Sequence, residues 1–236
     1  MDRIILLDSD SLYFRTCYMT KKHNEIRKNI KRGLEEIRQQ CFSDDMKIAI
    51  KGHGNWRKDY YADYKATRKE LEPDMKKALT YAHRHLVDDY GAVQADGMEA
   101  DDLVSIWAYE ARDMEMPYVV AGIDKDLLQI PGDHYNFVKQ EFQFMSDDEA
   151  NMKLMLQCMT GDTSDNIPGI KGIGPKKAEK YMGSTSIDRR WGRVKALWRA
   201  RHAGDPYVSW RLLKMLTSFE ELDDIQKEIQ DKANKS

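Results

Sequence analysis

The sequence predicts an α/β fold, a mostly parallel central sheet flanked by helices, followed by a helical C-terminal region. Three observations predict it. An apolar run at residues 4–7 passes through Asp8-Ser9-Asp10-Ser11 into a helical stretch over residues 12–40 and then a second apolar run, Met46-Lys47-Ile48-Ala49-Ile50. A strand–helix–strand start of this kind favours parallel pairing. Short apolar runs also end in acids, at Asp8 and again at Asp124 and Asp126 after residues 118–123, where open α/β sheets place their ligands. Past residue 160 the strand signals give way to Gly- and Pro-punctuated helical patterns.

Taken in order, residues 3–7 form a buried strand, and Ser9 or Asp10 caps the helix that follows. Asp10 is thereby structural, whereas Asp8 stands at the strand's carboxyl end. After the second strand comes a segment, residues 56–69, with four aromatics and five cations but little aliphatic content. If it is helical, Arg57, Tyr61, Tyr64, Lys65 and Arg68 share one face, a stripe suited to neutralising phosphates and stacking bases. Pro73 opens a helix running to about Tyr90, with Gly91 at its end. His83 and His85, two apart, face different directions and are ordinary structural residues.

A short strand, residues 92–94, leads to Gly97-Met98-Glu99-Ala100-Asp101-Asp102, three carboxylates in four residues at the start of a helix. Acids there complement the helix dipole, and Leu103, Ile106, Trp107 and Ala111 set the core-facing side. A strand over residues 117–121 precedes Asp124-Lys125-Asp126, a further strand covers residues 135–138, and a helix covers residues 153–160. The loop Gly161-Asp162-Thr163-Ser164-Asp165-Asn166 then runs into Ile167-Pro168-Gly169-Ile170-Lys171-Gly172-Ile173-Gly174-Pro175-Lys176-Lys177. This is a helix-hairpin-helix pattern at about residues 167–182: two short helices joined at Gly172-Ile173-Gly174, with Pro175 first in the second. Glycine there lets the backbone approach a phosphate, while Lys171, Lys176 and Lys177 add charge. Residues 187–236 are helical, with Trp191, Val194 and Trp198 on a packing face, and residues 231–236 are frayed.

With 236 residues the chain can bury a sizeable core. Cys17, Cys41 and Cys158 form no metal-ligand or disulfide pattern, which suits a reducing compartment and argues against zinc. No apolar run approaches membrane-spanning length, so a cytoplasmic protein without a membrane partner is expected. The net charge of −2 conceals a polarity. Residues 96–126 hold nine acids against two Lys/Arg, net −7, whereas residues 165–201 hold ten Lys/Arg against three acids, net +7. An acidic centre with a basic flank suits a protein that grips a polyanion while holding cations at its reaction centre.

If the strand-end acids share one pocket, they need compensation. Two carboxylates about 5 Å apart at an effective dielectric near 20 repel by roughly 3 kcal/mol. Oxygen-only ligands select hard divalent ions such as Mg²⁺ or Mn²⁺, and two such ions can activate a water and stabilise a leaving oxygen in phosphodiester hydrolysis.

The order of these motifs resembles the 5′ nuclease family, which includes flap endonucleases, the 5′ nuclease domains of bacterial DNA polymerases, and phage 5′-3′ exonucleases and RNase H. The resemblance covers most of residues 1–182 and rests on Leu7-Asp8-Ser9, Tyr64-Lys65-Ala66-Thr67-Arg68, Glu99-Ala100-Asp101-Asp102, Asp124-Lys125-Asp126, and Gly161-Asp162 through Asp165-Asn166-Ile167-Pro168-Gly169. It implies a PIN-like α/β catalytic domain over residues 1–160, with an arch or clamp at about residues 53–72. A helical DNA-binding region follows over residues 161–236. Asp8, Glu99, Asp101, Asp102 and Asp124 would surround a first Mg²⁺, replaceable by Mn²⁺, and Asp124, Asp126, Asp162 and Asp165 would serve a second. Lys65 and Arg68 would act on the scissile phosphate beside Asp124, Tyr64 would belong to the clamp, and the hairpin would grip duplex and, as in some relatives, hold K⁺. The implied activity is 5′-to-3′ hydrolysis at flaps, nicks or RNA primers on DNA by a monomer, in the company of a polymerase or single-strand-binding protein.

One position departs from the family. An acid followed by glycine is usual after the second strand, where this chain has Ile50-Lys51-Gly52. Either the Lys51 ammonium replaces part of a cation's charge and weakens the first site, or it points away while an acid such as Asp10 compensates. The alternatives are therefore a relative that binds branched DNA with weakened or lost catalysis, a PIN-like metal-dependent RNase, and a metal-free interaction module of opposed charged faces.

Overall fold

The computed structural model describes residues 3–234. Its centre is a six-stranded sheet in the order β3-β2-β1-β4-β5-β6, formed by β1 (Ile4–Asp8), β2 (Met46–Lys51), β3 (Val93–Ala95), β4 (Tyr118–Ala121), β5 (Gly132–Asn136) and β6 (Glu141–Met145). All neighbouring pairs are parallel except β5–β6. Every residue of β1 is buried, as expected of a central strand covered on both faces. The strand order reverses between β1 and β4, so the crevice beyond their carboxyl ends is the topological switch point.

Two helices replace the single stretch expected over residues 12–40. The first, α1 (Asp10–Met19), stops at extended Thr20, whose N–H returns to Thr16 and whose hydroxyl donates to Glu25 (2.6 Å). Next, α2 (His23–Cys41) buries Ile26, Ile30, Leu34 and Ile37, a helical stripe packed on one face of the sheet. The same layer holds α4 (Pro73–Tyr90), which ends at Gly91 with φ +66, the left-handed conformation that glycine adopts without cost. The opposite face is covered by α5 (Ala100–Asp113), through Leu103, Ile106, Trp107 and Ala111, and by the last helix, α10 (Phe219–Asn234).

The strand expected at residues 135–138 lies earlier, at 132–136. Asn136 ends it by accepting from the Val138 and Lys139 amides (3.1 and 3.0 Å), and the chain turns back into the edge strand β6. That strand carries no core-facing alternation in the sequence, since Phe142 and Phe144 are 48% and 65% exposed and only Met145 is buried. A third apolar cluster forms among α6 (Asp147–Thr160), α7 (Pro175–Met182), α8 (Ile187–Ala200) and α9 (Pro206–Leu213). A Ser146/Glu149 capping box starts α6 six residues before the expected residue 153. The fraying expected over residues 231–236 is not seen at 231–234, which continue α10; residues 235 and 236 lie outside the described residues.

Two local expectations are corrected. Residues 56–69 are not one helix: α3 covers only Trp56–Tyr60, after which the chain makes successive turns with Lys65 at φ +57. The hairpin lacks its first short helix, because residues 167–174 form a loop whose Ile170 amide donates to Met159 of α6 (2.8 Å). Its second helix, α7, starts at Pro175 as expected. Gly161 and Gly169 bring their backbones into direct apposition, so that a Cβ on either would overlap the other strand of the loop.

Candidate functional site

Acids converge at the switch point from five places. Asp8 ends β1 and is 5% exposed, with one carboxylate oxygen accepting from the Asp10 amide (3.1 Å). Asp10, the first residue of α1, also faces this region: its carboxylate accepts from the Lys51 amide at the end of β2 (3.0 Å). Glu99 and Asp101 come from the start of α5, Asp124 and Asp126 from the loop and 3-10 turn after β4, and Asp162 and Asp165 from the loop after α6. The Asp124 carboxylate caps that turn by accepting from the Asp126 amide (2.9 Å).

Their ionisation reflects the crowding. Burial, then the charge of Asp10, pushes Asp8 up to about 8. Burial likewise raises Asp10, Asp101 and Asp126, with neighbouring carboxylates adding to the effect at each. Glu99 goes the other way: burial would raise it, but Arg57, Lys65 and Tyr64 together hold it low. Asp162 is also held low, against its burial, by Ser164 and Lys125.

Cations of the protein sit among these acids. Lys65 is paired with Glu99 and lies 3.6 Å from Asp165, Arg68 donates to Asp165 (2.6 Å), and Lys125 lies 3.1 Å from Asp162. The Lys65 amide donates to the Asp165 carbonyl (2.9 Å) and Asn166 to the Asp63 carbonyl (3.0 Å), fastening the turn at residues 61–68 across the acidic crevice. Among the described residues no three Asp, Glu, His or Cys side chains stand close enough together to hold one ion.

Tyr64 is not an exposed stacking platform. Its ring is 3% exposed in the helical cluster, and its hydroxyl donates to Glu99 (2.7 Å). Arg57 and Asp102 are likewise corrected, since they are buried against each other. Both terminal nitrogens of Arg57 meet the Asp102 carboxylate, one at 2.9 Å, and its Nε donates to the Leu212 carbonyl (2.8 Å). The Asp102 carboxylate also accepts from the amides of Leu216 (3.1 Å) and Glu99 (3.2 Å). With no exposed surface and its oxygens fully engaged, Asp102 can neither face the crevice nor ligate there, and Arg57 cannot meet a phosphate. Tyr61 is half-buried against the helical cluster. Lys171 and Lys176 are exposed, Gly172 turns at φ +80, Gly174 precedes α7, and Lys177 donates to the Gly172 carbonyl (2.8 Å).

Three supporting residues were missed in the sequence. Asn55 caps α3 and donates to Glu99 (3.0 Å), Gln157 donates to Asp126 (2.5 Å), and Lys125 holds Asp162. A capping asparagine before Trp56 was a visible signal. Nothing in the sequence distinguished Gln157 as a partner of Asp126.

A pH dependence follows with a definite sign. The folded, chelator-treated protein keeps protons on Asp8 up to about pH 8, and on Asp101 and Asp126 above their usual range, whereas the unfolded chain releases them near 3.8. Between those limits the folded state binds more protons, so stability falls as pH rises. Glu99 and Asp162 contribute stability of the opposite sign, lost only below about pH 4. Melting in EDTA is expected to be several degrees lower at pH 8.5 than at pH 5, each ~1 kcal/mol amounting to about 2–4 °C at this chain length; a melting temperature that rises over that interval would contradict the crowded basin.

Comparison with known proteins gives a consistent neighbourhood. A family model described as 5′-3′ exonuclease, N-terminal resolvase-like domain, matches residues 3–155. DNA polymerase I of Deinococcus radiodurans is 25% identical over 236 residues, covering 93% of this chain and 24% of that protein. Flap endonuclease Xni of Shewanella baltica is 30% identical over 146 residues, covering 57% of this chain and 55% of that protein. The matches thus extend over about a quarter and about half of these relatives' lengths. In fold, the chain is similar to bacteriophage T5 5′-exonuclease with bound divalent metal ions, at a TM-score of 0.71 and 15% identity over 97% of this chain and 98% of that one. It is similar also to a T5 flap endonuclease pseudo-enzyme–product complex with DNA and metal ions, at a TM-score of 0.69 and 16% identity over the same shares.

Proposed function

The chain belongs to the 5′-3′ exonuclease family, and on that premise we propose that it is a structure-specific 5′ nuclease. Its substrates are phosphodiesters at 5′ ends or flaps of DNA or RNA-primed DNA, and it depends on divalent metal ions. The observation that carries this reading is that acids from separate elements act on one another's charge at the switch point, Asp8 with Asp124 and Glu99, Asp101 with Glu99, and Asp126 with Asp124 and Asp162, while Lys65 and Arg68 pair with Glu99 and Asp165 at its edge. The metal-bearing T5 relatives of the same fold support it.

The chemistry of the donor set suits a hard cation, on which the spaced carboxylates would close. All the donors are carboxylate oxygens, and burial first and neighbouring carboxylates second hold Asp8, Asp101 and Asp126 above their usual range, a crowding that a cation would offset. Asp8, Glu99, Asp101 and Asp124 would hold a first Mg²⁺ or Mn²⁺, and Asp124, Asp126, Asp162 and Asp165 a second; Asp102 is not among them. Such ions supply a water acidic enough to attack at neutral pH and charge to offset that of the phosphate.

The chain's own residues do the rest. Lys65 and Arg68 bind carboxylates here and are positioned to exchange them for the phosphate of an entering strand, since guanidinium and ammonium groups serve either anion. Tyr64 and Asn55 orient Glu99 from two sides, and Gln157 orients Asp126. Holding these carboxylates in place limits the reorganisation required at the moment of reaction. The exposed Lys171 and Lys176 beside the Gly172 turn would grip the duplex backbone. The test is a panel of 5′-labelled flap, nicked, single-stranded and RNA-primed duplexes with Mg²⁺ or EDTA. Cleavage that is Mg²⁺-dependent and greatest at 5′ flaps or nicks is expected; EDTA-resistant cleavage, or none on any substrate, would refute the reading.

Lys51 modifies the first site. Its side chain is exposed, its amide holds Asp10, and its charge lowers Asp10 against the effect of burial. Part of the positive charge at this end of the basin therefore belongs to the chain itself. Lys51→Asp is expected to lower the Mg²⁺ concentration for half-maximal cleavage several-fold. An unchanged metal requirement and rate would dismiss a weakened first site.

A further inference from the structure

Many cations among the described residues have carboxylate partners, among them Lys22 just before α2, Arg27 on α2 and Lys232 on α10. On α8 paired and unpaired cations stand side by side. Arg189 and Arg190 are paired with Asp188 and Asp148, but no carboxylate lies within 4.0 Å of Lys195 or Arg199 among the described residues. These two follow Trp191 at intervals of four, so Trp191, Lys195 and Arg199 form one stripe along the helix. The start of α9 faces the stripe, and together Lys195, Arg199, Gly204, Asp205, Pro206 and Tyr207 line an open cleft of ≈ 370 Å³.

The cleft has the components of a strand-binding surface. Tyr207 is 50% exposed, and the Lys195 ammonium lies over two rings, 5.9 Å from the Trp191 centroid and 5.8 Å from that of Tyr207. Trp191 meets Tyr207 edge-on at 5.3 Å and so supports its ring while leaving part of it open. The one acid of the cleft, Asp205, is engaged in capping α9 through the Tyr207 amide (2.9 Å). Two unneutralised cations beside a supported, half-open aromatic ring combine the requirements for phosphate contact and base stacking. Duplex bases are already stacked on one another, so the ring selects an unpaired strand.

The cleft shares no residue with the acidic basin. The far end of α9 reaches the Arg57–Asp102 pair through Leu212, six residues or about 9 Å of helix beyond Pro206. We infer that the Trp191–Lys195–Arg199 stripe and Tyr207 form an accessory site for single-stranded nucleic acid, holding an unpaired extension of a substrate whose cleavage takes place at the basin. This rests on the nuclease reading above and deepens it, naming the unpaired arm of the substrate as something the chain binds outside the reaction centre.

The test compares wild type with Lys195→Gln/Arg199→Gln and with Tyr207→Leu, all surface changes whose folding is checked by melting. Binding is measured in EDTA by fluorescence anisotropy against KCl, on a fluorescein-labelled blunt hairpin duplex and on the same duplex with a twelve-nucleotide single-stranded extension. The double variant is expected to lose affinity only for the extended substrate, with a salt slope shallower by about 1.4 from the loss of two single-strand phosphate contacts. Tyr207→Leu is expected to weaken that substrate about tenfold with little change of slope, and cleavage of a nick without extension is expected to be unchanged in both. Equal loss on the blunt duplex would assign the stripe to duplex backbone and overturn the inference, as would unchanged binding of both probes. If wild type cleaves in Mg²⁺ while the variants bind as it does, only the accessory site fails; if wild type cleaves nothing, the nuclease reading itself fails.

Discussion

Replacing Asp124 by Asn is expected to lower Mg²⁺-dependent cleavage of a 5′ flap by more than about 100-fold, exceeding the 10- to 100-fold typical of residues that merely orient a ligand. The carboxylate stands at the carboxyl end of β4, next to the strand bearing Asp8, and is the acid proposed to be shared by both cations. Asn is close to isosteric and its amide oxygen can still accept from the Asp126 N–H, so the 3-10 turn at Lys125–Gln129 should persist. Melting in EDTA should therefore be no lower than in wild type, and removing one negative charge from the crowd should if anything raise it. Calorimetry should show weakened Mn²⁺ binding alongside the lost rate. Wild-type cleavage by Asp124→Asn would remove this residue from the reaction centre.

The second large effect is on stability. Asp102→Ala leaves the Arg57 guanidinium, 3% exposed, without its counter-charge and is expected to cost about 3–5 kcal/mol. At about 2–4 °C for each kcal/mol, the melting temperature should fall by roughly 6–20 °C. The loss should be shared by the contacts Arg57 makes with the carbonyls of Leu212 and Lys214, which fasten the segment between α9 and α10 to the base of the basin. Arg57→Met/Asp102→Leu, which removes both charges, should recover much of the difference, because the penalty lies in the unpaired ion and not in the absence of the pair. An Asp102→Ala protein that melts like wild type yet fails to cleave would restore Asp102 to the metal-binding set.

These two carboxylates show how differently neighbouring acids can be legible. Asp124 follows a short apolar run of the kind that forms a buried strand, and such a strand delivers its last residues to one edge of a parallel sheet. Asp8 was found by the same logic. Asp102 sits in a motif with Glu99 and Asp101, and helical geometry turns residues one apart by about 100°. Which of the three faces the crevice depends on what packs beneath the helix, and that proved to be Arg57, 45 residues earlier in the chain. Tyr64 differs from its expected exposure for a related reason. A basic aromatic segment has the composition of a strand-binding face, but its ring found an apolar cluster supplied by α6 to α9.

The sequence by itself determined the parallel strands, the helices that cover them, the strand-end placement of Asp8 and Asp124, and the separation of an acidic centre from a basic flank. Those follow from periodicity, capping and charge, which are local. Only the tertiary structure decided that Lys65 and Arg68 lie across Glu99 and Asp165, that Asp102 and Arg57 neutralise one another inside, that Asp10 joins the basin through Lys51, and that Lys195 and Arg199 remain without counter-charges beside Tyr207. Each of these is a pairing between distant segments, and its sign and strength depend on burial and on which partner arrives first within about 4 Å, information carried by the packed whole and by no single stretch of the chain.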